Sequence, residues 1–221
     1  PAVVSYDGWT GFQQTTRSLD LLNTLEYAIL LNESYAAGGE TPVYPVLSEL
    51  NNDIDWQDRL FEDAPMHSHN VSVSGGSGNV RYSLGGSFLN QEGIIGREKS
   101  DFRRGTARSN LIIDITEDFK ISTILTYTNF RRRTLAENAL GSVLFNALNY
   151  APTFGLDQED VNGFFGNEVI NPLSQIENTY NGATADKFVG KEELVYEINE
   201  HFTFTNRFNY GLAMVDNKSF S

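Results

Sequence analysis

Four arrangements in the 221-residue chain have residue types and spacing that could support chemistry. His67 and His69 stand two apart, which puts both imidazoles on one face of a strand and within reach of a single metal ion. The chain has no cysteine and no third ligand accompanies the pair, so the expected role is a strand start near an interface and no metal is expected. The run Gly75-Gly76-Ser77-Gly78 has the composition of a phosphate loop but lacks its lysine and following helix, which leaves turn chemistry. Gln158-Glu159-Asp160-Val161-Asn162-Gly163 approaches a calcium loop, but its first ligand would be Gln158 and its twelfth Val169, so a polar turn is expected. Carboxylate pairs such as Asp53/Asp55 and Asp157/Asp160 could act as glycosidase acid and base, yet loop spacing fixes no separation between them. Neither an enzyme nor a cofactor is expected.

Binding offers more than catalysis. Trp56, Tyr150, Phe154, Phe164 and Phe165 could stack on sugar rings or meet a covering partner, although loops packing on one another would use the same residues. Seven carboxylates crowd residues 40–63 against the single Arg59, a pattern that reads as a solvated loop surface or a partner contact.

The elements that must carry these residues follow from periodicity. In the segment from Val80 to Asn90, one parity reads Val80, Tyr82, Leu84, Gly86, Phe88, Asn90 and the other Arg81, Ser83, Gly85, Ser87, Leu89. Such alternation is a strand with one apolar and one polar face. Strands are expected at 2–16, 67–75, 79–92, 102–115, 119–133, 187–199 and 201–215. Tight turns join them at 76–78, 116–118 and 200, with a medium loop at 93–101. Two long excursions, 17–66 and 134–186, carry helices expected at 24–37, 55–61 and 138–149. Asn23 and Glu26 are placed as a capping box for the first, with Gly38-Gly39 as its stop.

Several of these strands reach 13 to 15 residues, against the ~5–6 usual in soluble sheets. Short turns at one end and long loops at the other is the asymmetry of an outer-membrane barrel, with the apolar parity toward lipid and the polar parity toward a lumen. No run of 18 apolar residues exists, so no transmembrane helix is expected, which leaves a membrane barrel open. A net charge of −13 disfavours nucleic acid as a partner. Seven strands cannot close a membrane structure, because open edges are not tolerated in hydrocarbon. With no initiator methionine or leader, the chain is expected to be part of a longer or processed protein.

The run DWQDRLFEDAPMHSHNVSVSGGSGNVRYSLGGSFLNQEGIIGREKSDFRRGTARSNLIIDITEDFKI, residues 55–121, resembles the SusC/RagA-type TonB-dependent transporters of Bacteroidetes outer membranes. The matching elements are DWQD, the AP-x-H-x-HN-x-S-x-SGGS segment, the RYS…G strand, the QEGII hairpin and the DF-x-R…R-x-N-L strand. The opening strand, LDLLNTLEYAILLNE and Asn171-Pro172-Leu173 extend the similarity over the whole chain. The resemblance implies an all-β fold: an antiparallel transmembrane β-barrel fragment of about seven strands from a 22-stranded barrel, with helical insertions in extracellular loops. Residues 1–221 would form the N-terminal part of that barrel, without the plug domain that meets the TonB complex. It also implies import of glycans or oligopeptides together with a SusD-like surface lipoprotein, in the outer membrane of a Gram-negative, Bacteroidetes-like bacterium. The main rival is a soluble β-rich glycan-binding module whose apolar face is a core; a passive porin is the third reading.

Two expectations come from register. If Ile115 pairs with Phe119, then Ile113 meets Ile121, Ala107 meets Tyr127 and Arg103 meets Arg131. Arg104, Arg132 and Arg133 stand nearby, and facing arginines call for an anion, expected to be a lipopolysaccharide phosphate of the outer-membrane lipid. On strand 187–199 the apolar parity of Phe188, Leu194, Tyr196 and Ile198 includes Glu192, so either a bulge near Glu192-Glu193 that turns that carboxylate inward or a position above the apolar band is expected.

Overall fold

The computed structural model describes residues 1–135, 140–158 and 169–220. Seven antiparallel strands form one meander in which each pairs only with its sequence neighbours. They are β1 (Val3–Gln13), β2 (Ala64–Ser77), β3 (Val80–Gly93), β4 (Arg97–Asp114), β5 (Phe119–Arg133), β6 (Tyr180–Asn199) and β7 (Phe202–Phe220). The sheet is all-β with helical insertions between strands and has two free edges, β1 and β7.

The pairing carries each face across the whole sheet. Tyr6, Val71, Gly86, Ala107, Tyr127, Phe188 and Leu212 are register partners in turn. One residue along, Asp7, Asn70, Ser87, Thr106, Thr128, Lys187 and Ala213 form the adjacent row on the opposite face. The register expected across β4 and β5 is the one observed, from Ile113↔Ile121 through Ala107↔Tyr127 to Arg103↔Arg131. The Ile115 amide closes the turn by donating to the Phe119 carbonyl at 2.8 Å. A slip by one residue would have moved every apolar side chain to the polar face.

Three tight turns lie at one end of the sheet: Gly78-Asn79, Ile115–Asp118 and Glu200-His201. Gly78 has φ +56°, the left-handed conformation that the two-residue turn between β2 and β3 requires. At the other end, the loop expected at 93–101 proves to be a short hairpin. Gly96, at φ +65°, reverses the chain and β4 begins at Arg97, five residues earlier than alternation suggested. β6 likewise starts at Tyr180 and not at residue 187, because YNGATAD shows no apolar alternation to announce it.

The bulge expected near Glu192 is absent. Pairing runs regularly from Glu192 to Thr123 on one side and Phe208 on the other, and the irregularity lies at Glu197/Asn199. Glu192 therefore stays on the apolar parity, where the Thr123 hydroxyl donates to its carboxylate at 2.5 Å. A polar cross-strand neighbour satisfies the group that a bulge would otherwise have had to turn away.

β6 has a glycine where its partner needs room. A Cβ at Gly190 would fall within the Tyr210 ring, its register partner, whereas one at Gly211 would meet only the Phe188 carbonyl at 3.7 Å. Gly190→Ala is expected to displace the ring and destabilise the full-length protein by ~1 kcal/mol, while Gly211→Ala leaves it unchanged or slightly more stable. Urea titration of the two variants side by side measures this; equal midpoints would show that the Tyr210 ring contributes nothing over Gly190.

Candidate functional site

The excursions fold at the end of the sheet away from the tight turns. The first holds α1 (Thr24–Ala37), a 3-10 turn at Leu47–Glu49 and α2 (Trp56–Leu60). The second holds α3 (Val143–Asn149) and α4 (Pro172–Asn178), the latter not anticipated from sequence. Local capping explains their placement. Asn23 accepts from the Glu26 amide at 2.9 Å and Glu26 accepts from the Asn23 amide at 3.1 Å, the expected capping box. Asp55 caps α2, accepting from Gln57 N at 2.9 Å and Asp58 N at 3.3 Å. Asn171 caps α4 through Leu173 N at 2.9 Å while its amide donates to the Leu156 carbonyl at 2.7 Å. α3 begins at Val143 behind a Ser142 cap, and residues 138–139 of the helix expected there lie outside the described residues.

The two excursions share one small core: Trp56, Leu60, Leu135, Val143, Ala147 and Tyr150. Trp56 is 2% exposed and Tyr150 3%; their rings meet edge to face at 5.1 Å, and the indole N–H donates to the Ala151 carbonyl at 3.0 Å. Phe154 packs against the same cluster, edge to face with Tyr150 at 5.3 Å. Trp56 and Tyr150 thus pack the loops on one another, the alternative expected for these aromatics, and both also line the cleft between the excursions. Phe164 and Phe165 lie outside the described residues, as does Asp160.

Between the excursions lies a cleft of ≈ 560 Å³ whose walls include Leu19, Asp20, Tyr27, Asp53 and Asn149. Gln57 ties its floor to the preceding segment, donating to the Leu19 carbonyl at 2.8 Å and accepting from the Leu19 amide at 2.9 Å. Asp53 accepts from the Thr24 amide at 2.9 Å. Asp53 and Asp55 are thus committed to backbone amides, not posed as an acid–base pair. At the mouth, Leu19, Leu21 and Leu22 are exposed, as are Leu25, Ile29 and Leu30 on α1. These apolar side chains were missed in the sequence because Ser18–Asn23 shows neither helical nor strand periodicity.

The histidines do not gather a metal site: among the described residues no group of three potential ligands forms. His69 Nδ1 is hydrogen bonded to the Tyr6 hydroxyl at 2.8 Å, and the His67 ring lies 5.2 Å from that of His69.

Parity divides the five arginines considered together in the sequence. Arg104 and Arg132 occupy the polar-parity rows with Trp9 and Gly11, whereas Arg103, Arg131 and Arg133 share the face of Phe88 and Tyr127. The anion required between Arg103 and Arg131 comes from the chain itself. Asp101, 3% exposed, lies 3.1 Å from Arg103 Nε, 3.1 Å from Arg131 and 2.5 Å from Arg133 Nε. On the polar face, Asp114 pairs with Arg81 at 2.7 Å and Glu193 with Lys191 at 3.2 Å and with Arg207. Arg104, Arg108, Arg132 and Lys187 have no carboxylate within 4.0 Å among the described residues.

No protein-family model matches the chain. Among curated proteins it is 29% identical to the TonB-dependent receptor SusC of Bacteroides thetaiotaomicron, over 90% of this chain and 21% of that protein. It is 27% identical to the TonB-dependent receptor P26 of Formosa agariphila, over 93% of this chain and 21% of that protein. The chain is homologous to the SusC/RagA-type TonB-dependent transporters. It spans about a fifth of the length of the curated relatives it matches. Solved structures of the RagAB peptide transporter, and of the RagAB peptide importer in its closed-closed state, align over 99% of this chain and 29% of theirs. Their TM-scores are 0.79 and 0.78 at 18% and 17% identity, a likeness of fold.

If the shared core docks the excursions, Trp56→Ala removes its largest side chain and is expected to weaken docking by ~3–5 kcal/mol. Limited proteolysis of the full-length protein should then cut residues 140–158 faster, with the strands still resistant. An unchanged cleavage rate would show that other contacts hold the loops.

Proposed function

We propose that these residues are a stretch of the wall of an outer-membrane active importer: seven adjacent strands of a larger closed barrel, with the excursions 14–63 and 134–179 outside the cell. The observation that carries this reading is the apolar face. Leu84, Phe88, Tyr127, Phe188, Phe208 and Leu212 lie on one side of the sheet, all exposed, and among the described residues no second layer covers them. A soluble sandwich or module would cover that face with another sheet or helices. Lipid covers it in a barrel, and further strands would satisfy the free backbone groups of β1 and β7.

The chemistry is transport, with no bond made or broken. The polar parity forms part of a lumen wall rich in serine, threonine and asparagine and carrying the cations Arg108 and Lys187. Import of glycans or oligopeptides is supported by the homology to SusC and by the fold likeness to the RagAB peptide importer. Energy from TonB would enter through parts of the protein outside these residues. A SusD-like lipoprotein would meet the loop surface, and the exposed Leu19, Leu21 and Leu22 around the cleft form the apolar contact area it would cover. Phe164 and Phe165 remain candidates for substrate or lid contact.

Orientation tests the reading. In the full-length protein on intact cells, Ser77→Cys at the end of β2, beside the β2–β3 turn, should resist a membrane-impermeant maleimide, and Glu40→Cys in the first excursion should react. Labelling of Ser77→Cys from outside would invert the barrel or remove it.

A further inference from the structure

The outward end of β4 and β5 carries more positive charge than its own carboxylate neutralises. Asp101, one row further outward on the same face, holds Arg103, Arg131 and Arg133, one negative charge against three positive. The side chains of Arg103 and Arg131 remain 47% and 40% exposed. Arg131 Nε is shielded from solvent and has no hydrogen-bond partner among the described residues. Neighbouring carboxylates are engaged elsewhere: Glu92 with Arg97 at 3.3 Å, and Asp186 with Tyr127 at 2.5 Å and Asn129 at 2.8 Å. Across β6, Asp216 and Lys218 offset one another in charge, in register with Thr184 and Gly182.

Height places this group. Ten residues separate Ile113, beside the tight turn, from Arg103 along β4. At ~3.3 Å per residue and a strand tilt of ~45°, that is about 23 Å, close to the ~25 Å height of the apolar band. Asn129 and Asp186, one row below, already mark the change from apolar to polar on this face.

We propose that Arg103 and Arg131, positioned by Asp101 together with Arg133, bind a phosphate group, and that the phosphate belongs to a glycolipid headgroup of the outer leaflet. Guanidinium forks match phosphate oxygens bidentately, and arms already fixed by a buried carboxylate lose less freedom on binding. Arg104 and Arg132, on the opposite face, take no part. The inference rests on the barrel reading, since only a barrel puts this face against lipid.

The test uses the full-length transporter extracted from outer membranes in mild detergent. Lipid-bound phosphate retained per protein is compared among the parent, Arg103→Gln/Arg131→Gln, Arg103→Lys/Arg131→Lys and an Arg81→Gln control at the other end of the sheet. Each lost hydrogen bond to a charged group corresponds to roughly tenfold in affinity, so the Gln pair should retain at least about tenfold less. The Lys pair should fall between, having charge without the fork, and Arg81→Gln should match the parent. Equal retention in the Gln pair and the parent, both recovered folded from the outer-membrane fraction, overturns the lipid site while leaving the barrel standing. Absence of the parent from that fraction overturns the barrel itself. A second arm titrates inorganic phosphate: parent-only phosphate binding with lipid retention unchanged would assign the arginines to a soluble anion and overturn the headgroup.

Discussion

The structure depends on one constraint: backbone N–H and C=O groups beside an apolar surface must be satisfied by neighbouring strands. The seven-stranded meander meets it internally through unbroken ladders from β1 to β7, with irregularities only at Glu92/Gly93 and Glu197/Asn199. It fails only along the outer edges of β1 and β7. Because side-chain period is two, the same ladders fix which residues face outward, so register and facing are a single choice. Ile113↔Ile121 at one end and Arg103↔Arg131 at the other are consequences of that choice.

The loops solve a different problem. The two excursions build one shared core around Trp56 and Tyr150. Side-chain caps and amide bridges do the rest: the Asn146 side chain donates to Gln175 at 2.7 Å, and the Tyr44 hydroxyl meets Thr153 at 2.9 Å. Charge is divided as well. The carboxylates of residues 40–63 sit in the loop region of a chain with net charge −13, while Arg104, Arg108, Arg132 and Lys187, which meet no carboxylate among the described residues, line the polar face of the sheet.

Much of this was legible in the sequence where a rule of local physics applies. Alternation bounded β5 at 119–133, the capping box bounded α1 at 24–37, and parity matching fixed the β4–β5 register. Legibility ended where the outcome depends on tertiary company. For Trp56 and Tyr150 the sequence left stacking on a ligand and packing between loops both open, because nothing local reveals that two excursions ninety-odd residues apart share a core. Glu192 needed no bulge because Thr123 supplies a donor. The anion between Arg103 and Arg131 could have been found: Asp101 stands two residues before Arg103, on the same parity of the same strand. Treating neighbouring arginines as one group, without regard to parity, concealed it.

The central claim is that the face bearing Phe208 meets hydrocarbon and the face bearing Asn209 does not. Single tryptophans introduced at these adjacent positions of the full-length protein, reconstituted in vesicles of brominated lipid, read that difference directly as added fluorescence and its quenching. The expected result is strong quenching of the Phe208→Trp signal and little of the Asn209→Trp signal. Equal quenching at both positions, or the reverse order, would contradict the assignment of the apolar face to lipid.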